Sequence, residues 1–196
     1  MSALFTISSH SPYDFPAQHK LSFDSKEDKY VNSVAYTDKC LGDFMISIKD
    51  EDWYPNTLFV IVADHSHNSP MNRRVAQREK FHIPMLWYGE ALNIEFRGRK
   101  WDMVSSHIDI TPTILSQLDI ELENDYSGFD ALNRNNIGFA PYSFIRGYGM
   151  VKKNSNYAYS INYNRALEEN YSDSSAIIKN ESEMFLQYSF QKYLNY

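Results

Sequence analysis

Asp64 and His65 are the residues best suited to chemistry in this sequence, because they place a carboxylate beside an imidazole. They follow directly on the apolar run TLFVIVA, residues 57–63. Aspartate offers a hard oxygen and neutral histidine a borderline nitrogen, a pairing that suits a divalent ion such as zinc or manganese. The same two residues are also consistent with an aspartate that caps a turn and a histidine on the surface. Taken alone, the pair leaves both interpretations open.

His10 is a second candidate, in the segment Thr6-Ile7-Ser8-Ser9-His10-Ser11-Pro12. It follows a short apolar segment, residues 4–7, that predicts a strand. A single histidine at such a place is also typical of a solvated loop. Because parallel strands bring their carboxyl ends to one edge of a sheet, we expect His10 to converge there with Asp64 and His65.

The elements that would position these side chains alternate between helix and strand. The run at 57–63 is rich in β-branched residues and predicts a strand buried on both faces, as in a parallel sheet covered by helices. Apolar residues between 31 and 48 recur with the 3.6-residue period of a helix. Residues 83–88 predict a further strand, and Thr111-Pro112 predicts the start of a helix. The fold class is therefore α/β, with a mostly parallel sheet flanked by helices.

The last third of the sequence is organised differently. Residues 122–138 are polar and predict a long loop. Residues 142–161 predict two strands around the turn Lys152-Lys153-Asn154-Ser155, and a terminal helix is expected over 182–194. A small strand pair and a helix thus complete the predicted fold.

Composition excludes several classes of protein. The chain has 196 residues, with 19 Lys+Arg against 25 Asp+Glu and a net charge of −6. That balance argues against a nucleic-acid binder, which would present a basic face. The single cysteine, Cys40, cannot form an internal disulfide. No apolar run approaches the ~18 residues of a membrane span, and residues 1–10 lack the features of a signal peptide.

Five segments carry a family resemblance through their order along the chain: SSHSPYDFP, YVNSVAYTDKCLGDF, WYPNTLFVIVADHSH, FHIPMLWY and SSHIDITPTILSQLDI. In this order they resemble the C-terminal half of a sulfatase-fold enzyme of the alkaline-phosphatase-like superfamily. Within it, they are most similar to the lipoteichoic-acid synthase and phosphoglycerol transferase branch. The resemblance covers roughly residues 3 to 120, and the joint order is more specific than any one motif.

The resemblance implies roles for individual residues. Asp64 and His65 match the family's metal ligands. His10 matches a catalytic histidine that contacts the transferred phosphate or sulfate or assists the leaving group. His67 and His82 are candidates on the substrate side, for which the family gives no firm assignment.

Two further residues match the family, and one residue departs from its usual pattern. His107 and Asp109 match a signature whose role is mainly to shape the connection from sheet to helix. Ser66 stands where a glycine is usual after the Asp-His pair, which tightens the loop without removing a ligand.

The implied function is that of a metal-dependent phospho- or sulfo-ester transferase or hydrolase, with Mn, Zn, Mg or Ca as its divalent metal. Its substrate would be a phosphate or sulfate ester, lipid- or glycan-linked, and the family implies an extracytoplasmic location. The family's nucleophile and first acidic metal ligand lie in an N-terminal half that this sequence lacks. We therefore expect residues 1–125 to be the C-terminal portion of the catalytic domain, with residues 126–196 packed on it and the missing half as partner. The alternative is a non-catalytic remnant or binding module that keeps half of the fold.

Overall fold

The computed structural model of the chain contains helices and two sheets, which confirms the α/β class. The residues that the structure describes are 1–16, 26–67, 72–121, 126–171 and 176–195. They form two compact units, one from the described residues of 1–57 with 89–91, and one from those of 58–67, 72–88 and 92–195. The predicted boundary between residues 125 and 126 stays a prediction.

Helix α1, Lys26–Ser47, confirms the helix predicted from the apolar period. Its buried side is polar, since Asn32 and Ser33 are both buried. Each donates a hydrogen bond within the helix: Asn32 to the Asp28 carbonyl at 2.9 Å and Ser33 to the Tyr30 carbonyl at 2.7 Å. Ser25, which with Asp28 three residues later resembles a capping box in the sequence, lies outside the described residues.

The strand predicted over residues 4–7 was wrong. These residues form no strand, and the Leu4 and Phe5 side chains are exposed. A strand needs a neighbour for its backbone hydrogen bonds, and among the described strands none pairs with this segment. A turn follows instead: the backbone N–H of His10 donates to the Ile7 carbonyl at 3.0 Å, and that of Tyr13 to the His10 carbonyl at 2.8 Å.

The two strands predicted from apolar runs are present, but their direction differs from the prediction. Strand β1, Phe59–Val62, pairs with β2, Met85–Tyr88, in an antiparallel register that sets Phe59 opposite Tyr88. The parallel pairing expected for β1 is therefore corrected. An apolar run reports how deeply a strand is buried and says nothing about the direction of its neighbour.

A four-stranded antiparallel meander occupies the C-terminal part, in the order β3-β4-β5-β6. Its strands are Phe139–Phe144, Gly147–Lys152, Ser155–Ser160 and Arg165–Tyr171. The predicted pair around residues 152–155 corresponds to β4 and β5. The outer strands β3 and β6 extend that pair into a sheet.

Helix α3, Ala176–Leu194, packs against the middle of this sheet and begins before the predicted residue 182. Met150 on β4 lies opposite Tyr157 on β5, and both contact Ile178 of the helix in a buried cluster. Phe139 and Phe185 cover the edge of the cluster, with ring centroids 5.8 Å apart. None of the described helices is both long and apolar enough to cross a bilayer.

Helix α2, Ile110–Gln117, starts in a different way from the prediction at Thr111-Pro112. A 3₁₀ turn, His107–Asp109, precedes it, so Thr111 lies inside the helix and Pro112 is buried in its first turn. The backbone N–H of Ser106 donates to the Asp109 carboxylate at 2.7 Å, and this contact closes the turn.

Candidate functional site

Asp64 and His65 lie just beyond the end of β1, with side chains that are 70% and 76% exposed. The backbone N–H of His65 donates to Asp64 Oδ1 at 2.8 Å. This contact fixes the carboxylate and uses only one of its oxygens. Oδ2, the other oxygen, faces the imidazole of His65, with 3.6 Å between Oδ2 and Nε2.

A backbone contact determines which nitrogen of His65 carries the proton. Nδ1 lies 2.9 Å from the carbonyl oxygen of Ser66. Because a carbonyl can only accept, Nδ1 carries the hydrogen and donates it. The neutral ring then keeps a lone pair on Nε2, and this is the arrangement in which histidine binds metals.

Two contacts fix the backbone on either side of this pair. His107 Nε2–H donates to the carbonyl of Ala63 at 2.8 Å, directly before Asp64. The hydroxyl of Ser66, directly after His65, donates to the carbonyl of Lys80. The residue that replaces the family's usual glycine thus ties the loop to the 3₁₀ turn Arg78–Lys80.

The buried Asp109 stabilises the turn that carries His107. Its side chain is fully buried and accepts from the backbone N–H of Ser106 at 2.7 Å and of Phe129 at 3.0 Å. Burial raises the pKa of the Asp109 carboxyl above its usual value, although the two N–H donors oppose that shift. Gly128 permits the close approach, since a Cβ there would lie 2.1 Å from the Ile108 carbonyl oxygen.

Thr113 is a positioning residue that the sequence analysis missed. Its hydroxyl donates to the Asp109 carbonyl at 2.6 Å and accepts from the Ala131 backbone N–H at 2.8 Å. A threonine one turn after a capping aspartate is the only sequence signal for this contact. The partner at residue 131 could not be inferred from a local pattern.

His10 lies in the other compact unit, in an exposed turn. Its Nδ1–H donates to the carbonyl of Ser11 at 2.7 Å, which leaves the Nε2 lone pair available. The hydroxyls of Ser9 and Thr37 lie 3.3 Å apart and connect this turn to α1. The convergence of His10 with Asp64 and His65 stays a prediction.

The structure also describes His67 and His82, the two candidates for contact with a substrate. His67 is half-buried, three residues after Asp64, and His82 is exposed just before β2. Their roles toward a substrate stay predictions.

The Asp64–His65 pair fits a divalent ion as two of its ligands. Carboxylate oxygen and imidazole nitrogen bind zinc at about 2.0–2.2 Å. Two such atoms can share one ion when they are about 3–4 Å apart, and the observed separation is 3.6 Å. Within the described parts of the chain, no cluster of three or more His, Cys, Asp or Glu side chains could hold a metal.

Comparison with known proteins decides the family. Residues 1–120 match the family model described as Sulfatase. The chain belongs to the sulfatase family. The chain is 28% identical over 185 residues to "Lipoteichoic acid synthase-like YvgJ" of Bacillus subtilis, an alignment that covers 80% of this chain. The resemblance to the sulfatase family and its lipoteichoic-acid synthase branch is thereby confirmed.

Two solved structures support the fold of this sulfatase-family chain. A protein of the alkaline phosphatase superfamily from Vibrio parahaemolyticus matches with a TM-score of 0.75 at 24% identity, over 97% of this chain and 48% of that one. The lipoteichoic acid synthase LtaP of Listeria monocytogenes matches with a TM-score of 0.74 at 23% identity, over 97% and 52%. The alignment with the Bacillus protein spans 29% of that relative's length.

Proposed function

We propose that this chain supplies the Asp-His part of the metal centre in a metal-dependent phospho- or sulfo-ester transferase or hydrolase. The observation that carries the proposal is the arrangement of Asp64 Oδ2 and His65 Nε2, two potential ligand atoms 3.6 Å apart at a strand end. Family membership supports the same class of chemistry. The names of the relatives favour phosphoglycerol transfer over sulfate-ester hydrolysis.

Asp64 and His65 would hold the ion through one oxygen and one nitrogen. This mixed donor set favours Mn or Zn, with Mg and Ca as the harder alternatives. When bound, such an ion supplies Lewis-acid stabilisation of the charge that develops on the ester oxygens. Asp64 is kept in the correct orientation by the N–H of His65, so the carboxylate is ready for binding before the ion arrives.

His10 would transfer a proton during the reaction. Since Nδ1–H is held by the Ser11 carbonyl, proton exchange takes place at Nε2. A histidine that takes up a proton at Nε2 and then gives it to the leaving group contributes about 10²–10⁴-fold to a rate. In this role His10 is a catalytic residue that binds no metal.

The substrate and the other half of the site are part of the proposal. The substrate is a phosphate or sulfate ester linked to a lipid or glycan, and the reaction is extracytoplasmic, as for the implied family. The nucleophile and the remaining ligands would come from the part of the family fold that this chain does not cover. His67 and His82 would contact the substrate.

The first test measures metal binding. Mn²⁺ is titrated into the full chain, into Asp64→Asn and into the matched control Asp50→Asn, whose residue is exposed in a turn after α1. We expect Asp64→Asn to lose binding and Asp50→Asn to retain it. Equal binding by all three would remove Asp64 from the metal centre.

The second test measures turnover in the complete protein, with bis(p-nitrophenyl) phosphate and p-nitrophenyl sulfate as substrates. We expect Mn²⁺-dependent release of nitrophenol from the phosphodiester, and its loss in Asp64→Asn. Metal binding without turnover of either ester would favour the alternative, a binding module that keeps part of the fold.

A further inference from the structure

The C-terminal sheet contacts the segment at residues 74–81, and Tyr142 on β3 makes two of these contacts. The hydroxyl of Tyr142 donates to the Ala76 carbonyl at 3.0 Å. Its ring stacks on that of Phe81, with 4.4 Å between the centroids and 28° between the planes. Ala76 is buried, and Tyr142 and Phe81 are half-buried. A single tyrosine thus fixes the segment at two points.

Tyr142 belongs to a row of residues that crosses all four strands of the sheet. In register from β3 to β6, the members of the row are Tyr142, Gly149, Ala158 and Glu168. The last member also contacts the segment, since the Glu168 carboxylate accepts from the Arg74 guanidinium at 3.1 Å. A Cβ on Gly149 would lie 2.3 Å from Tyr142 Cζ, so the glycine makes room for the tyrosine ring.

This row lies on the face of the sheet opposite to helix α3. Phe139 packs against the buried cluster that includes Ile178 of α3. Because side chains alternate between the two faces along a strand, Tyr142, three residues later, points to the other face. One face of the meander therefore holds the terminal helix, and the other holds the segment at residues 74–81.

A continuous set of contacts leads from Tyr142 to the imidazole of His65. Phe81 directly follows Lys80, whose carbonyl accepts from the Ser66 hydroxyl. The Ser66 carbonyl in turn accepts from Nδ1–H of His65 at 2.9 Å. A shift of the stacked ring would therefore displace the Lys80 carbonyl and, through Ser66, the His65 imidazole.

We propose that Tyr142 is a positioning residue for the Asp64–His65 pair, and that the C-terminal sheet thereby supports the candidate metal centre. This inference rests on the proposed function, which makes the pair metal ligands. Tyr142 acts through the segment at residues 74–81. The meander lies after residues 1–120, the part that matches the family model, so that match assigns it no role.

The first test measures the Mn²⁺ affinity of the full chain by titration. Tyr142→Leu removes the hydrogen bond and the ring stacking and should weaken binding about tenfold, the lower end for an outer-shell contact. Tyr142→Phe keeps the ring and should weaken binding about threefold, less than the whole net value of one hydrogen bond. Gly149→Ala displaces the ring, keeps the hydroxyl and should also weaken binding.

The matched control is Tyr159→Phe, which removes a hydroxyl contact to Asn164 at the other face of the same sheet. Its Mn²⁺ affinity should stay within about twofold of wild type, as for an independent site. An equal loss in Tyr159→Phe and Tyr142→Phe, or no loss in Tyr142→Leu, would overturn the proposal.

A double-mutant cycle with Ser66→Ala distinguishes positioning from a general loss of stability. Ser66→Ala breaks the contact with Lys80 that connects the segment to the pair. In that background Tyr142→Leu should weaken Mn²⁺ binding by less than about twofold more, because the path to His65 is already interrupted. Its effect on the free energy of unfolding in urea should persist. Fully additive losses of Mn²⁺ affinity would contradict a path through Ser66 and refute the proposal.

Amide hydrogen exchange without metal separates this inference from the proposed function. The backbone N–H of His65, which donates to Asp64 Oδ1, should exchange faster in Tyr142→Leu and at the wild-type rate in Tyr159→Phe. If exchange responds in this way but the wild type binds no Mn²⁺, positioning by Tyr142 stands and the metal centre is refuted. If the wild type binds Mn²⁺ and Tyr142→Leu changes neither affinity nor exchange, the metal centre stands and the role of Tyr142 is refuted.

Discussion

His10 and His65 present their imidazoles in the same way, although they lie in separate units of the chain. Each is followed by a serine, and each donates Nδ1–H to the carbonyl of that serine, at 2.7 Å for His10 and 2.9 Å for His65. In both cases the residue is exposed and Nε2 takes no part in this contact. A short local sequence is therefore enough to select the tautomer.

What differs is the surroundings of Nε2. His65 has the Asp64 carboxylate 3.6 Å away, and its backbone is anchored by His107 before the pair and Ser66 after it. For His10 no ion pair with a described carboxylate is found, and its turn is connected to α1 through Ser9. The carboxylate beside His65 offers a metal a second ligand atom, whereas the role proposed for His10 needs only proton exchange at Nε2. Under the proposed function the two similar histidines would therefore have different tasks.

The largest expected effect comes from exchanging the two histidines in turn for alanine. His65→Ala removes a proposed metal ligand and should lower Mn²⁺ affinity by more than the 10–100-fold that loss of an outer-shell partner typically costs. His10→Ala should leave Mn²⁺ affinity unchanged and, in the complete protein, lower kcat by about 10²–10⁴-fold. Titration with Mn²⁺ and steady-state kinetics measure the two quantities. A parallel loss of metal affinity in His10→Ala would make the two residues equivalent and end the comparison.

The second effect tests the buried Asp109, which supports the His65 side through the turn that carries His107. Asp109→Ala leaves the backbone N–H groups of Ser106 and Phe129 without their acceptor. At ~1–3 kcal/mol for each of the two unsatisfied donors, we expect the free energy of unfolding to fall by about 2–6 kcal/mol. Urea denaturation measures it, with Asp50→Ala as the exposed control that should change it by less than about 0.5 kcal/mol. A loss below 1 kcal/mol would show that the turn does not depend on this carboxylate.

Local sequence patterns were sufficient to predict part of this fold but not the rest. The period of the apolar residues predicts helix α1, and the apolar runs predict strands β1 and β2. The turn at residues 152–155 identifies β4 and β5. Residues 4–7 are mostly apolar and predict a strand, but among the described strands none pairs with them. The direction of β2 relative to β1 depends on the path of the chain between them, which periodicity does not encode.

The candidate site shows the same limit. The adjacent Asp64 and His65 are visible in the sequence, and the resemblance to the sulfatase family gives them a role. The contact from His107 to Ala63 joins residues 44 positions apart, and Thr113 reaches residue 131 across a loop. Such contacts depend on tertiary structure, so sequence could suggest a structural role for His107 but not its partner.

The third effect follows from that long-range contact. His107→Ala removes the donor to the Ala63 carbonyl and frees the backbone directly before Asp64. We expect Mn²⁺ affinity to fall about tenfold, the lower end for an outer-shell contact. His107→Gln offers an amide N–H at a similar reach and should recover part of the affinity. A purely structural role would change the unfolding midpoint equally in both variants and leave Mn²⁺ affinity unaltered.

The smallest expected effect distinguishes the role of the Ser66 hydroxyl from that of the Ser66 carbonyl. Ser66→Gly, which restores the family's usual residue, removes the hydroxyl contact to Lys80 and keeps the carbonyl that accepts from His65. We expect the free energy of unfolding to fall by about 1 kcal/mol, the net value of one hydrogen bond. The His65 tautomer, read from ¹⁵N chemical shifts of the ring, should stay protonated at Nδ1. Ser11→Gly is the matched variant and should likewise keep the His10 tautomer, because there too the carbonyl remains. If Ser66→Gly alone changed the tautomer, the fixed loop rather than the neighbouring carbonyl would determine the protonation of His65.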